Sequence, residues 1–157
     1  MPVSDEFFEK GLKQLEVMNR GGTMLDQKAL SEDVYRYSVG HLFGDIWTRP
    51  HLSQRDRQLI TLAANIALSR PTGTPAHYRS AKALGVSHEE IMELILHVGM
   101  YGGWLCIAHA CKQYTEVLEA EKKKQKSVKK AAAKKPATKK AATKKAQAKK
   151  TASRRKR

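Results

Sequence analysis

Cysteine is scarce in this chain, with Cys106 and Cys111 alone among 157 residues. Two thiols cannot build a disulfide framework, and a five-residue offset is not the CxxC redox spacing. No apolar run reaches the roughly 18 residues that a membrane-spanning helix needs. No charged start followed by an apolar stretch marks a secretory leader. The expectation is therefore a soluble, cytoplasmic protein with no membrane partner. Two further absences are local: no aromatic residue follows Tyr114, and no acidic residue follows Glu121.

Those absences divide the chain. Residues 1–121 carry 12 Lys and Arg against 15 Asp and Glu, a net of −3. Residues 122–157 carry 18 Lys and Arg and no acid, a net of +18. The first part is long enough for one domain with a real core. The second repeats in fives from Lys129, as KKAAA, KKPAT, KKAAT, KKAQA and KKTAS, and closes on R-R-K-R. It has almost nothing to bury, so 122–157 is expected to be a disordered polycationic tail. A five-residue repeat advances about 140° around a helix, which would not hold the lysines on one face. A polyanion is the expected partner, DNA foremost, with nucleoid association as the consequence. The contacts would come from Lys129, Lys130, Lys134, Lys135, Lys139, Lys140, Lys144, Lys145, Lys149, Lys150, Arg154 and Arg155. With no aromatic among them to stack on bases, binding should be blind to sequence. A charged extension that serves only solubility is the plainer alternative.

Residues 1–121 read as helices throughout. Ser4 can cap a helix over 4–19, with acids in its first turn and Phe8, Leu12 and Leu15 at helical spacing. Gly21-Gly22 breaks it. A second helix is expected from Ser31 to Trp47, closed by Pro50. Ser53 caps a third, with Leu59, Ile60, Leu62, Ala63, Ile66 and Ala67 as its buried residues. Thr74 is expected to cap a fourth with Pro75 in its first turn, and Gly85 to end it. There His77, Ala81 and Leu84 share a face, so His77 points inward. Ser87 and Glu90 form a capping box for the next, whose apolar stripe is Ile91, Leu94, Ile95 and Val98. Glu93, His97 and Tyr101 follow its edge at spacings of four. After Gly102-Gly103 a last helix runs to Glu121, with Leu105, Ala108, Cys111, Tyr114, Thr115 and Leu118 inward. The predicted fold is all-α, about six helices.

Two phrases carry a resemblance: F-G-D-I-W-T-R-P-H-L-S-Q-R-D-R-Q-L-I-T-L-A, and A-H-Y-R-S-A-K-A-L-G-V-S-H-E-E-I-M-E-L-I-L-H-V-G-M-Y-G-G-W. Over roughly residues 10–120 the chain resembles the carboxymuconolactone decarboxylase family, which shares its helical fold with the alkyl hydroperoxidase AhpD proteins. The combination of W-x-R-P-x-L with E-x-x-x-H-x-x-x-Y-x-G is specific; either phrase alone would be weak. The peroxidase branch uses C-x-x-C-x-x-x-H, and counting back from His77 puts Arg70 and Gly73 at the thiol positions. Neither can act as a thiol. Cys106 and Cys111 lie on a later helix, so a thiol antioxidant is disfavoured.

The resemblance then implies the decarboxylase branch, acting without a cofactor on a small carboxylated lactone or related acid. Losing CO2 leaves an enolate-like anion that needs protonation, and histidine suits that transfer. His77 and His97 are the acid/base candidates, with Glu93 or Asp45 to orient one of them. Arg49 and Arg57 would hold substrate carboxylates, and Trp47, Tyr101 and Trp104 would wall the pocket. A metal site from His77, His97 and His109 matches no ligand motif, so no metal is expected. The resemblance also implies a homo-oligomer, a dimer, trimer or hexamer, which would multiply the tail. The alternative from another class is a non-enzymatic DNA-binding platform built on the same fold.

Overall fold

Serine caps set the helix starts, and left-handed glycines set several of the ends. In the computed structural model, which describes residues 3–133, the order is α1 (Asp5–Val17), α2 (Leu25–Leu30), α3 (Glu32–Tyr37), α4 (Gln54–Ala67), α5 (Thr74–Ala83), α6 (His88–Gly102) and α7 (Trp104–Ala133). Between α3 and α4 the helix continues as a π-helical stretch, Ser38–Asp45, and a 3-10 turn, Ile46–Thr48. Among the described residues there is no strand, and the fold is all-α. The side chains of Ser4, Ser31, Ser53 and Ser87 accept from the backbone N–H three residues on. At Ser87 the bond is returned, because Glu90 Oε2 accepts from the Ser87 N–H at 2.9 Å. Gly103, at φ +93°, closes α6 in a conformation that a side chain would strain.

The first core layer forms between α1 and the π-helical stretch. Leu15, Met18, Tyr35, Val39, Phe43 and Trp47 are buried together, with Phe8, Leu12, Met24 and Leu84 packed on them. The two segments approach closely enough that a Cβ on Gly11 would meet the Val39 carbonyl, and one on Gly44 the Phe7 carbonyl. A wide π turn leaves backbone carbonyls poorly paired. Here Thr48 Oγ1 donates to the Gly44 carbonyl at 2.5 Å. The single α-helix expected over Ser31–Trp47 is thus three conformations in series. Helix α2 was not expected at all.

Further along the chain, α4 buries Gln58, Leu62 and Ile66. Ile60, expected inward, is 55% exposed. Helix α5 begins after Gly73 (φ +83°) rather than on a Thr74 cap; the Thr74 hydroxyl instead donates back to the Arg70 carbonyl at 3.2 Å. Helix α6 buries Ile91, Ile95 and Val98, as its stripe predicts. Helix α7 is rotated from the expected phase: Cys106, Ala110, Gln113, Tyr114 and Val117 are buried, and Leu105 is 84% exposed. The change of direction at Gly103 resets the phase. A buried glutamine reads as a break in an apolar face, yet Gln113 Nε2 is satisfied by the carbonyls of Arg70 and Pro71.

The chain divides after Val117 into two units by its internal contacts. Helix α7 continues to Ala133, so residues 122–133, expected to be disordered, are helical. The remaining tail residues lie outside the described residues. No helix among the described residues is long and apolar enough to cross a membrane.

The close approach of α1 to the π-helical stretch yields the first prediction. Gly44→Ala forces a methyl onto the Phe7 carbonyl, so it should destabilise the fold by about 1–3 kcal/mol. Gly22→Ala, where a Cβ meets open space but φ is +71°, should cost only about 1 kcal/mol. Urea denaturation of both variants gives the comparison, and a Gly44→Ala that costs nothing would remove this account of the packing.

Candidate functional site

His77 stands on the first turns of α5, against α4. The Gln58 side chain on α4 is fully buried, and its Nε2 donates to the His77 carbonyl at 2.8 Å. The amide's Nε2 and Oε1 both lie beside His77 Nδ1, at 3.3 and 3.4 Å, so the tautomer follows from the other ring nitrogen: Arg20 Nη1, which can only donate, faces Nε2, and Oε1 accepts from the Nδ1–H. Nδ1 then carries the proton and Nε2 carries the lone pair. The indole of Trp47 stacks on the imidazole at 6.1 Å with 21° between planes. On the remaining side, Arg20 Nη1 lies 3.3 Å from Nε2, a donor facing the lone pair. Burial first, and the Arg20 charge second, push the His77 pKa from 6.5 down to about 4. The imidazole is neutral at pH 7.

Arg20 comes from the turn after α1. Its own N–H bonds the Leu15 carbonyl at 2.7 Å, its carbonyl accepts from the Thr23 N–H at 3.0 Å, and Asn19 before it sits at φ +54°. The side chain is only 9% exposed, and its guanidinium lies 5.3 Å from the Phe43 ring centroid. Nε is buried with no hydrogen-bond partner. Burial, then the nearby charge of Arg79, lowers the Arg20 pKa. Among the described residues no carboxylate forms an ion pair with it. Sequence reasoning missed both Arg20 and Gln58. An arginine in N-R-G-G has no periodicity to give it away, and a glutamine on an apolar helix face announces nothing beyond itself.

The other predicted residues fall into separate groups. Asp45 receives Arg49 on both oxygens at 3.0 Å and has His41 Nδ1 at 3.9 Å; it orients neither His77 nor His97. Arg57 Nη2 donates to the Arg49 carbonyl at 2.8 Å. His97 packs its ring against Tyr101 at 5.2 Å, and both are exposed on α6. Trp104, 69% exposed, lines a groove of about 490 Å³ together with Met92, Glu93, Leu96 and Ile107. No hydrogen bond or ring contact joins His97 to His77. Of the predicted set, the structure brings together His77 and Trp47. Of the predicted cationic contacts, Lys129 and Lys130 are exposed on α7, and Lys134 onward lie outside the described residues. Among the described residues no group of three or more His, Cys, Asp or Glu is placed to hold a metal ion. Cys106 and Cys111 are both free thiols.

A neutral histidine with a fixed tautomer, a stacked indole and a buried cation can bind an anionic substrate and move one proton. Comparison with known proteins gives the chain its relatives. The chain is 34% identical over 73 residues to the 4-carboxymuconolactone decarboxylase of Acinetobacter baylyi, 46% of this chain and 54% of that one. It is 29% identical over 101 residues to the nitrosuccinic acid decarboxylase npaB of Metarhizium robertsii, 64% of this chain and 62% of that one. It thus spans somewhat over half the length of these curated relatives. The model of the carboxymuconolactone decarboxylase family matches residues 32–116, from the first residue of α3 into α7, and includes Trp47, Gln58 and His77. The chain belongs to the carboxymuconolactone decarboxylase family.

Proposed function

We propose that this protein is a cofactor-free decarboxylase of a small carboxylated lactone or related acid, with His77 delivering the proton that replaces CO2. The observation that carries the proposal is the imidazole itself, held between the buried Gln58 amide and the Arg20 guanidinium and walled by Trp47. Both relatives are named as decarboxylases of small acids. In the reaction the bond to the departing carboxylate breaks, and its electron pair passes into the conjugated carbonyl as an enolate. CO2 leaves, and the proton from His77 returns the electron pair to a C–H bond. Trp47 excludes water from the enolate while it lives.

His97 has a different setting, an exposed ring beside an exposed Tyr101. It joins the chemistry only if an assembly buries that surface. A homo-oligomer is part of the proposal, supported by Leu96, Met100, Tyr101, Trp104 and Leu105, each at least 50% exposed. The tail is proposed to bind DNA or another polyanion without regard to sequence, and so to associate the protein with the nucleoid. At about 100° per residue, Lys122, Lys123, Lys126, Lys129 and Lys130 of α7 fall within an arc of about 120°, a basic stripe on that helix.

Three measurements test these readings. With 4-carboxymuconolactone as probe, the protein should release CO2, and His77→Ala should cut kcat by about 10²–10⁴-fold while circular dichroism stays unchanged. Full activity in the folded His77→Ala variant removes His77 from the reaction, and no CO2 from the parent protein sinks the reaction itself. The full chain should retard duplex DNA in a gel, losing affinity steeply with salt, and a form ending at Glu121 should not. Equal retardation by the shortened form would place DNA binding elsewhere. Light scattering should give a mass of two or more chains; a monomer at micromolar concentration removes the oligomer.

A further inference from the structure

Arg20 carries a charge that nothing in the described chain offsets. A buried cation without a counterion is expensive, and folding tolerates it where something else repays the cost. Its neighbours supply no negative charge. Phe43 offers a ring face, His77 is neutral, and Arg79 contributes a second positive charge. All 15 Asp and Glu lie between Asp5 and Glu121, and among the described residues none is ion-paired to this guanidinium. The side edge of the group, Nε with Nη2, matches the two oxygens of a carboxylate. Nε is the buried atom left without a partner, and Nη1 on the other edge faces His77 Nε2 at 3.3 Å.

We propose that Arg20 is the receptor for a carboxylate that the substrate keeps, and that seating it there lets His77 take up the proton it later delivers. The proposal rests on the decarboxylase reading and deepens it. A proton donor is needed, yet in the free protein His77 is held neutral by burial and by the Arg20 charge. A carboxylate on Arg20 offsets that charge and draws the Nη1 donor away from the imidazole, so Nε2 is freed to bind a proton from solvent. The groups that face His77 are Arg20 from the turn after α1, Gln58 from α4 and Trp47 from the 3-10 turn, with Arg79 acting on Arg20. None of them is acidic, so the substrate supplies the negative charge.

The same argument says which carboxylate Arg20 holds. A carboxylate paired with arginine is stabilised in the ground state, which opposes its loss as CO2. The carboxylate on Arg20 is therefore the spectator, and the departing one lies off the cation. Electrons balance as follows: the scissile C–C pair becomes the enolate, the enolate takes the proton from Nε2, and His77 returns neutral. Arg20 precedes residues 32–116, the stretch matched by the family model, so this specificity belongs to the chain's own N-terminal segment.

Adipate, a saturated dicarboxylate that cannot react, is the probe. Calorimetry on the full chain should show binding, weakened about 10–100-fold in Arg20→Gln and less in Arg20→Lys. The His77 ring signal in NMR should titrate near pH 4 without adipate and at a higher pH with it. In Arg20→Gln the midpoint should already be higher and should not respond to adipate. Arg20→Met should raise Tm, because it replaces an uncompensated buried charge with an apolar chain. The proposal is overturned if adipate does not bind, if Arg20→Gln binds it as well as the parent, or if the His77 midpoint ignores it. A drop in Tm in both Arg20→Met and Arg20→Gln would make Arg20 a structural residue and overturn it too. If adipate behaves as expected but no acid loses CO2, the reaction fails and the receptor stands. If Arg20→Gln decarboxylates with unchanged KM, the receptor fails and the reaction stands.

Discussion

The buried amide of Gln58 is the constraint on which the site depends. Its nitrogen ties α4 to the backbone of α5 through the His77 carbonyl, and its oxygen accepts from the His77 ring. A glutamine with no exposed surface is costly unless both ends are satisfied, and here both are. Fold and chemistry therefore share a side chain. Moving α5 by a fraction of an ångström would break the helix contact and loosen the tautomer together.

The second organising fact is the imbalance of charge around the imidazole. Surface charges in this protein are paired in the usual way: Lys10 with Glu6, Arg36 with Asp5, Arg49 with Asp45, Arg55 with Glu90. Exposed pairs of this kind contribute little to stability. Arg20 is the contrasting case, buried over Phe43 and facing a neutral ring. The acids of 1–121 go to the surface, and the interior keeps an unopposed cation.

Much of the fold was legible in the sequence because helix ends are written in local chemistry. Ser4, Ser53 and the Ser87–Glu90 pair each satisfy orphan N–H groups a few residues away, and Gly85 and Gly103 each adopt positive φ. His77 was legible for a different reason: its face carries Ala81 and Leu84. The π-helical stretch was not, because apolar residues over Ser38–Asp45 fit any helical period, and the cause lies in the close approach of Gly11 and Gly44. The phase of α7 was misread because Leu105 outweighs Cys106 as a hydrophobe, whereas Gly103 sets the direction. Arg20 had no signal at all. Its burial depends on a ring, Phe43, that lies 23 positions away in the chain.

The separation of Arg20 from the matched region has an evolutionary consequence. His77, the Gln58 amide beside it and the stacked Trp47 indole sit inside residues 32–116, and the Arg20 cation beside them is delivered by a short turn after α1. A duplication that kept α4 and α5 intact could exchange that turn and acquire a new acid without relearning proton transfer. Diversification would then be concentrated in the first thirty residues, where Gly21 and Gly22 already make the turn easy to redirect.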